Sequence, residues 1–133
     1  MELHDLIEKY RGASRAPSSC DCLTLLLHYL DDEKHIEQIK GRYKTQRGAF
    51  RTIPKLTGYA SIGEYLETHC ERIQPLFCRD GDIVVGGGHM AVIASGHIFG
   101  VGKDIDGFEE FGFKPLEVTA LNKGEHIIYR KKR

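Results

Sequence analysis

The chain has 133 residues, of which 41% are hydrophobic and 29% are charged. This length and composition predict a single globular domain, spanning residues 1–133, that can bury a core without disulfides or metal. Basic and acidic residues number 19 each, so bulk charge gives no basis for binding nucleic acid or an anionic membrane. We interpret the basic segment 130–133 as a solvating terminus. No apolar run has the length of a membrane span and the first residues lack a signal-peptide core, so we expect a cytoplasmic protein with reduced cysteines.

Helical patterns fill the first half of the chain. Apolar residues recur at helical spacing in segments that begin or end at capping residues. The second segment is apolar around most of its circumference, so we expect a central, buried helix with Ser18 and Asp21 as its capping box. Residues 31–40 are charged and predict a helical extension or a surface loop. The predicted helices span about residues 3–10, 19–30, 45–56 and 61–66.

Short apolar strands follow after about Ile73. Asp80-Gly81 is a turn signal, and Ser95-Gly96 suits a tight hairpin that pairs Ala94 with His97. Because helices come first and a mostly antiparallel sheet follows, the predicted fold class is α+β rather than alternating α/β. The predicted strands span about residues 82–85, 90–94, 97–101, 113–118 and 126–129.

Two cysteines, Cys20 and Cys22, lie at the start of the second predicted helix. Unpaired backbone N–H groups at a helix N-terminus favour a thiolate and so lower the pKa of a thiol there. We assign Cys22 as the candidate nucleophile, because Cys20 falls on the leucine face of the helix, where a small thiol serves packing. An inert buried cysteine is the alternative interpretation for either residue.

His89 follows a run of glycines and begins an apolar strand. A nucleophilic thiol requires a base, and a histidine from elsewhere in the chain can supply it. The alternative is a solvent-facing residue at a loop end. A third group should orient the imidazole, and Asp104 is the nearest candidate, although it needs a bulge to reach His89 and otherwise is a charged turn residue. A backbone carbonyl or a water molecule could take that role instead.

Metal binding is the other common use of cysteine and histidine. The spacings Cys20-x-Cys22 and Cys70-x7-Cys78 do not match zinc sites, so we expect no metal and no cofactor. The remaining histidines are interpreted as surface or satisfied core residues, among them His28, His35, His69 and His126.

Together these motifs resemble the NlpC-type papain-like cell-wall peptidases. The matching segments are Asp21-Cys22-Leu23-Thr24 at a helix start, Arg79-Asp80-Gly81-Asp82-Ile83-Val84 before and on a strand, and Gly88-His89-Met90-Ala91-Val92-Ile93 on the next strand. The chain resembles a group of small phage-encoded papain-like proteins of unassigned role even more closely, since segment 41–51 also has a counterpart there. The resemblance extends from about Tyr10 to the end of the chain.

The resemblance implies a papain-like α+β fold and a cysteine hydrolase that cleaves an amide bond. The implied substrate is a peptide, peptidoglycan stem peptides included, in a phage or prophage setting. Cys22 would be the nucleophile, His89 the general base, and the first-turn N–H groups part of the oxyanion hole. The cell-wall enzymes also have a tyrosine upstream of the cysteine, at the place of Tyr10, which core packing explains equally well.

Two departures from the family pattern favour an alternative function. Bulky Leu23 follows the cysteine where the cell-wall enzymes have a small residue. Gly100 or Val101 stands where they have a third polar residue. The alternative is therefore a catalytically inactive papain-fold protein that acts in virion or tail assembly with phage structural proteins, or as an interaction module.

Overall fold

The computed structural model describes residues 1–86, 89–101, 110–116 and 126–132, in which five helices precede a six-stranded sheet. The helices are α1 (Leu3–Tyr10), α2 (Cys22–Tyr29), α3 (Glu33–Ile39), α4 (Gln46–Thr57) and α5 (Ile62–His69). The strands are β1 (Cys70–Ile73), β2 (Ile83–Gly86), β3 (His89–Ala94), β4 (His97–Gly100), β5 (Gly112–Pro115) and β6 (His126–Lys131). Neighbouring strands are antiparallel, in the order β1-β6-β2-β3-β4-β5. The predicted α+β class is confirmed.

Helix α2 lies at the centre of the core. Every residue of α2 except His28 is buried, as its apolar circumference predicts. The helix packs against α1, α3 and strand β3. The longest helix in the described part of the chain, α4, has 12 residues, and none there is long and apolar enough to cross a membrane.

The alternation of side chains along the strands gives the sheet two distinct faces. The helix face carries residues such as Met90 and Val92, which join the core around α2. The outer face carries a smaller cluster formed by Val84, Ile93 and Ile128. Because the two faces alternate residue by residue, the face on which a side chain lies follows directly from the strand register.

The hairpin between β3 and β4 forms as predicted. Ala94 pairs with His97, and the two turn residues Ser95 and Gly96 have φ values of +51° and +73°. Positive φ at both central positions is typical of the type I′ turn, whose twist matches that of the strands. The local sequence therefore determines this register.

Two residues of the basic segment 130–133, Arg130 and Lys131, are not part of the solvating terminus that its composition predicts, whereas Lys132 is exposed. Arg130 lies in β6 and donates from Nε to Oδ1 of Asp82 at 2.8 Å and from Nη2 to Oδ2 at 2.9 Å. Asp82 is only 1% exposed, so this ion pair is largely buried. Lys131 also bonds through Nζ to the carbonyl oxygen of Tyr29 at 3.1 Å. Both residues hold the last strand to the rest of the domain.

Candidate functional site

Helix α2 begins three residues later than predicted, and this places Cys22 at its first position. Asp21 is the N-cap: its Oδ1 accepts from the backbone N–H of Thr24 at 2.9 Å, and the Thr24 hydroxyl accepts from the N–H of Asp21 at 2.8 Å. The capping box is therefore Asp21 with Thr24, rather than Ser18 with Asp21. Ser18 instead occupies a turn with φ +67°, closed by pairing of Ala16 with Cys20.

The Asp21 carboxylate is buried, and both of its oxygens accept hydrogen bonds. Its Oδ2 accepts from the backbone N–H of Ser18 at 2.9 Å and from the hydroxyl of Tyr43 at 2.7 Å. Burial and the adjacent carboxylate raise the pKa of Tyr43, so its hydroxyl remains a donor. Tyr43 is not among the site residues that the sequence predicts. It belongs to segment 41–51, which has a counterpart in the phage proteins that the chain resembles.

The expected low pKa of the Cys22 thiol is wrong. Cys22 is 8% exposed, and burial, followed by the charge of Asp21, raises the pKa of its thiol to about 11. A hydrogen bond from the Met90 backbone and the charge of Arg15 act in the opposite direction. Loss of solvation outweighs these contributions, because a helix terminus stabilises an ion by only about 0.3–1 kcal/mol at exposed sites. Cys22 is therefore a protonated thiol at neutral pH in this conformation.

We expect this buried thiol to reduce stability in alkali. The unfolded thiol ionises near its ordinary pKa of 9.0 and the folded one near 11, so the unfolded chain releases a proton that the folded chain keeps. Stability is therefore lost as the pH rises through this interval, and the contribution of Cys22 is about 2–3 kcal/mol. Urea unfolding from about pH 8 to about pH 11 measures this loss. The free energy of unfolding should fall less steeply with pH in Cys22→Ala than in the wild type.

Cys20→Ala is the matched control for this measurement. Cys20 is partly exposed, and burial raises its pKa less strongly than that of Cys22. Removing the Cys20 thiol should therefore reduce the pH dependence of the unfolding free energy less than removing the Cys22 thiol does. If the unfolding free energies of Cys22→Ala and the wild type change equally with pH, the Cys22 thiol has the same pKa in the folded and unfolded states, which contradicts this prediction.

His89 occupies the exposed first position of β3. Helix α2 packs against β3, and the backbone of the next residue, Met90, acts to lower the pKa of the Cys22 thiol, so the start of β3 lies near the start of α2. Alternation along the strand places the His89 side chain on the outer face with Ala91, whereas Met90 lies on the helix face. The structure thus places the start of β3 near the thiol, while the imidazole of His89 lies on the other face of the sheet. Asp104, the candidate third member, lies outside the described residues.

Tyr10 is a core residue between α1 and α2. It is 3% exposed, and its hydroxyl hydrogen-bonds to Nδ1 of His28 and lies beside the Thr24 hydroxyl. The Tyr10 ring packs on Phe111 with centroids 4.8 Å apart. Burial raises the pKa of Tyr10 to about 12. The packing explanation therefore accounts for Tyr10, and His28 is a partly buried histidine whose Nδ1 is hydrogen-bonded.

The other cysteines are free thiols with no shared site. Cys70 is buried and Cys78 is partly buried, and burial raises the pKa of both. Over residues 1–86, 89–101, 110–116 and 126–132, no three histidine, cysteine or acidic side chains come together as metal ligands would.

Comparisons with known proteins give one family. A family model described as a domain of unknown function (DUF6950) matches residues 1–120, which is most of the chain. No curated protein and no solved structure gives a significant match.

Proposed function

We propose that this chain, which belongs to the DUF6950 family, is a papain-like cysteine hydrolase that cleaves an amide bond. The observation that supports this proposal is the position of Cys22. It is the first residue of α2, and α2 packs against β3, the strand that His89 begins. A helix-borne cysteine against a strand that starts with histidine is the arrangement that the sequence resemblance implies. The proposed substrate is a peptide, peptidoglycan stem peptides included, in a phage setting.

In the proposed reaction, the sulfur of Cys22 attacks the amide carbonyl carbon while His89 takes the thiol proton. The tetrahedral intermediate then expels the amine, which receives that proton, and a thioester remains on Cys22. Water attacks the thioester with His89 as base, which releases the acid and restores the thiol. Backbone N–H groups in the first turn of α2 can stabilise the oxyanion.

This mechanism requires the imidazole of His89 to move from the outer face to the thiol. His89 is exposed and is the first residue of its strand, where it pairs with Gly86, so the movement has to change the start of β3. An ion pair between the imidazolium and the thiolate would then offset the burial that holds Cys22 protonated. The proposal therefore predicts that Cys22 reactivity depends on His89.

Alkylation of the full-length protein by iodoacetamide at about pH 6.5, followed by mass spectrometry of each cysteine peptide, tests this dependence. The hydrolase hypothesis predicts that Cys22 reacts faster than the partly exposed Cys20 of the same molecule. It also predicts that His89→Ala slows alkylation of Cys22 by about a hundredfold, the usual contribution of a general base, and leaves Cys20 unchanged. His97→Ala is the matched control, because His97 is the exposed first residue of the neighbouring strand β4.

Burial of the thiol favours a second function, that of an inactive papain-fold module in virion or tail assembly. A protonated thiol that is 8% exposed suits core packing as well as it suits a resting enzyme. Under this hypothesis Cys22 reacts more slowly than Cys20, and His89→Ala changes neither rate. That result would exclude the hydrolase, and the same measurement therefore decides between the two functions.

A further inference from the structure

A cavity of about 330 Å³ opens on the outer face of the sheet. It lies at the end of the sheet where β2 and β4 finish and where β3, β5 and β6 begin. The described residues that shape it include Gly86, His89, Gly100, Gly112, Lys114 and His126. The cavity lies on the opposite face of the sheet from α2, so it is separate from the Cys22 thiol.

Glycines form the floor of this cavity. Gly100 pairs with Gly112 across strands β4 and β5. A Cβ at Gly100 would lie 3.0 Å from the Cβ of Ala91, so this glycine allows close packing of the strands. A Cβ at Gly112 would meet no atom within 4 Å. The absence of a side chain at Gly112 therefore leaves space that the cavity occupies.

Two histidines flank a third glycine at the edge of the cavity. Gly86 pairs with His89 on one side and with His126 on the other, so all three residues share the outer face. Because neighbouring strands lie about 4.8 Å apart, the two histidine Cα atoms stand roughly 10 Å apart with no side chain between them. The Nδ1 atom of His126 is buried and has no hydrogen-bond partner within the described part of the chain. Buried polar atoms are normally paired, so this nitrogen is suited to bond a ligand.

Among the described residues, the charged lining of the cavity is basic. Lys114, on β5, contributes an ammonium group, and the lining residues in the described ranges include no aspartate or glutamate. Ammonium and imidazole N–H groups are the donors that bind carboxylates and phosphates. We propose that this cavity binds a small ligand through an oxyanion group, a carboxylate or a phosphate, held by His89, His126 and Lys114. This goes beyond the proposed hydrolase, since it makes no use of the Cys22 thiol and requires His89 only in its outer-face position.

Isothermal titration of the full chain with inorganic phosphate and, separately, with citrate tests the proposal. We expect at least one probe to bind saturably, and Lys114→Met and His126→Leu each to weaken it about tenfold through loss of a charged or polar contact. Gly112→Val should weaken binding, because its side chain occupies part of the cavity without meeting any protein atom at Cβ. The stronger probe identifies the preferred oxyanion.

Lys55→Met and His4→Leu are the matched controls, since both residues are exposed and neither lines the cavity. Cys22→Ser should bind the probes as the wild type does, so a failure of the hydrolase hypothesis leaves this test intact. The proposal is overturned if neither probe binds at millimolar concentration. It is also overturned if Lys55→Met weakens binding as much as Lys114→Met, which would indicate nonspecific attraction to surface charge.

Discussion

Replacing Asp21 with asparagine is expected to lower the pKa of the Cys22 thiol and to speed its alkylation at neutral pH. The carboxylate lies one residue before Cys22, and its charge is the second contribution, after burial, that raises this pKa. Asparagine retains an oxygen that can accept from Thr24, so the helix cap can persist without the charge, but its NH2 group cannot accept from the N–H of Ser18 as Oδ2 does. Removal of a nearby like charge should raise the thiolate fraction about tenfold.

The alkylation rate of Cys22 as a function of pH measures this effect. Tyr43→Phe is the matched variant, because it removes a hydrogen bond to the same carboxylate and leaves the charge in place. We expect Tyr43→Phe to cost about 1–3 kcal/mol of stability, since it leaves a buried acceptor short of a donor, and not to accelerate alkylation. Equal rates for Asp21→Asn and the wild type would mean that Asp21 does not control the thiol.

Features with a local cause could be predicted from the sequence. The Ser95-Gly96 turn determines the β3–β4 register, and Ser61 caps α5 by accepting from the N–H of Glu64 at 3.1 Å, as its spacing indicates. The start of α2 is different, because Ser18 and Asp21 are both good N-caps. The tertiary bond from Tyr43 favours Asp21, and that bond joins residues 22 positions apart in the chain.

The chemistry of the candidate site depended on information that the sequence does not contain. A helix N-terminus predicts a low thiol pKa, but the burial that reverses this prediction comes from packing against α1 and β3. The start of β3 at His89 agrees with the predicted strand to within one residue. The face that His89 presents could not be predicted, because a shift of a single residue in register exchanges the two faces.

The local sequence also does not predict strand β1 or the role of Arg130, because both depend on residues far away in the chain. The β1 segment, Cys70–Ile73, has two exposed charged residues at its centre and pairs with β6 at the edge of the sheet that the described strands form. Such an edge strand lacks the apolar alternation of a half-buried strand. Arg130 belongs to a run of basic residues whose composition indicates solvent, and only its buried partner 48 residues earlier reveals an ion pair.

Replacing Asp82 with alanine is expected to lower the free energy of unfolding by about 3 kcal/mol. Asp82 accepts two hydrogen bonds from Arg130 and one from the backbone N–H of Arg79, all between 2.8 and 2.9 Å. The substitution leaves these donors without their partner and disconnects the turn before β2 from strand β6. The side chain of Arg130 is 21% exposed, so water can partly solvate its charge, and this places the cost at the lower end of the usual range for a buried pair.

Urea unfolding at neutral pH measures the Asp82 effect as a lower midpoint with an unchanged slope. Glu37→Ala removes an exposed carboxylate from α3 and should change stability by less than about 0.5 kcal/mol. The double variant Asp82→Leu with Arg130→Met should recover part of the loss, because an apolar pair needs no compensating charge. A cost below about 1 kcal/mol for Asp82→Ala would place this pair among surface salt bridges. Strand β6 would then be held by its sheet pairing rather than by the charge at Asp82.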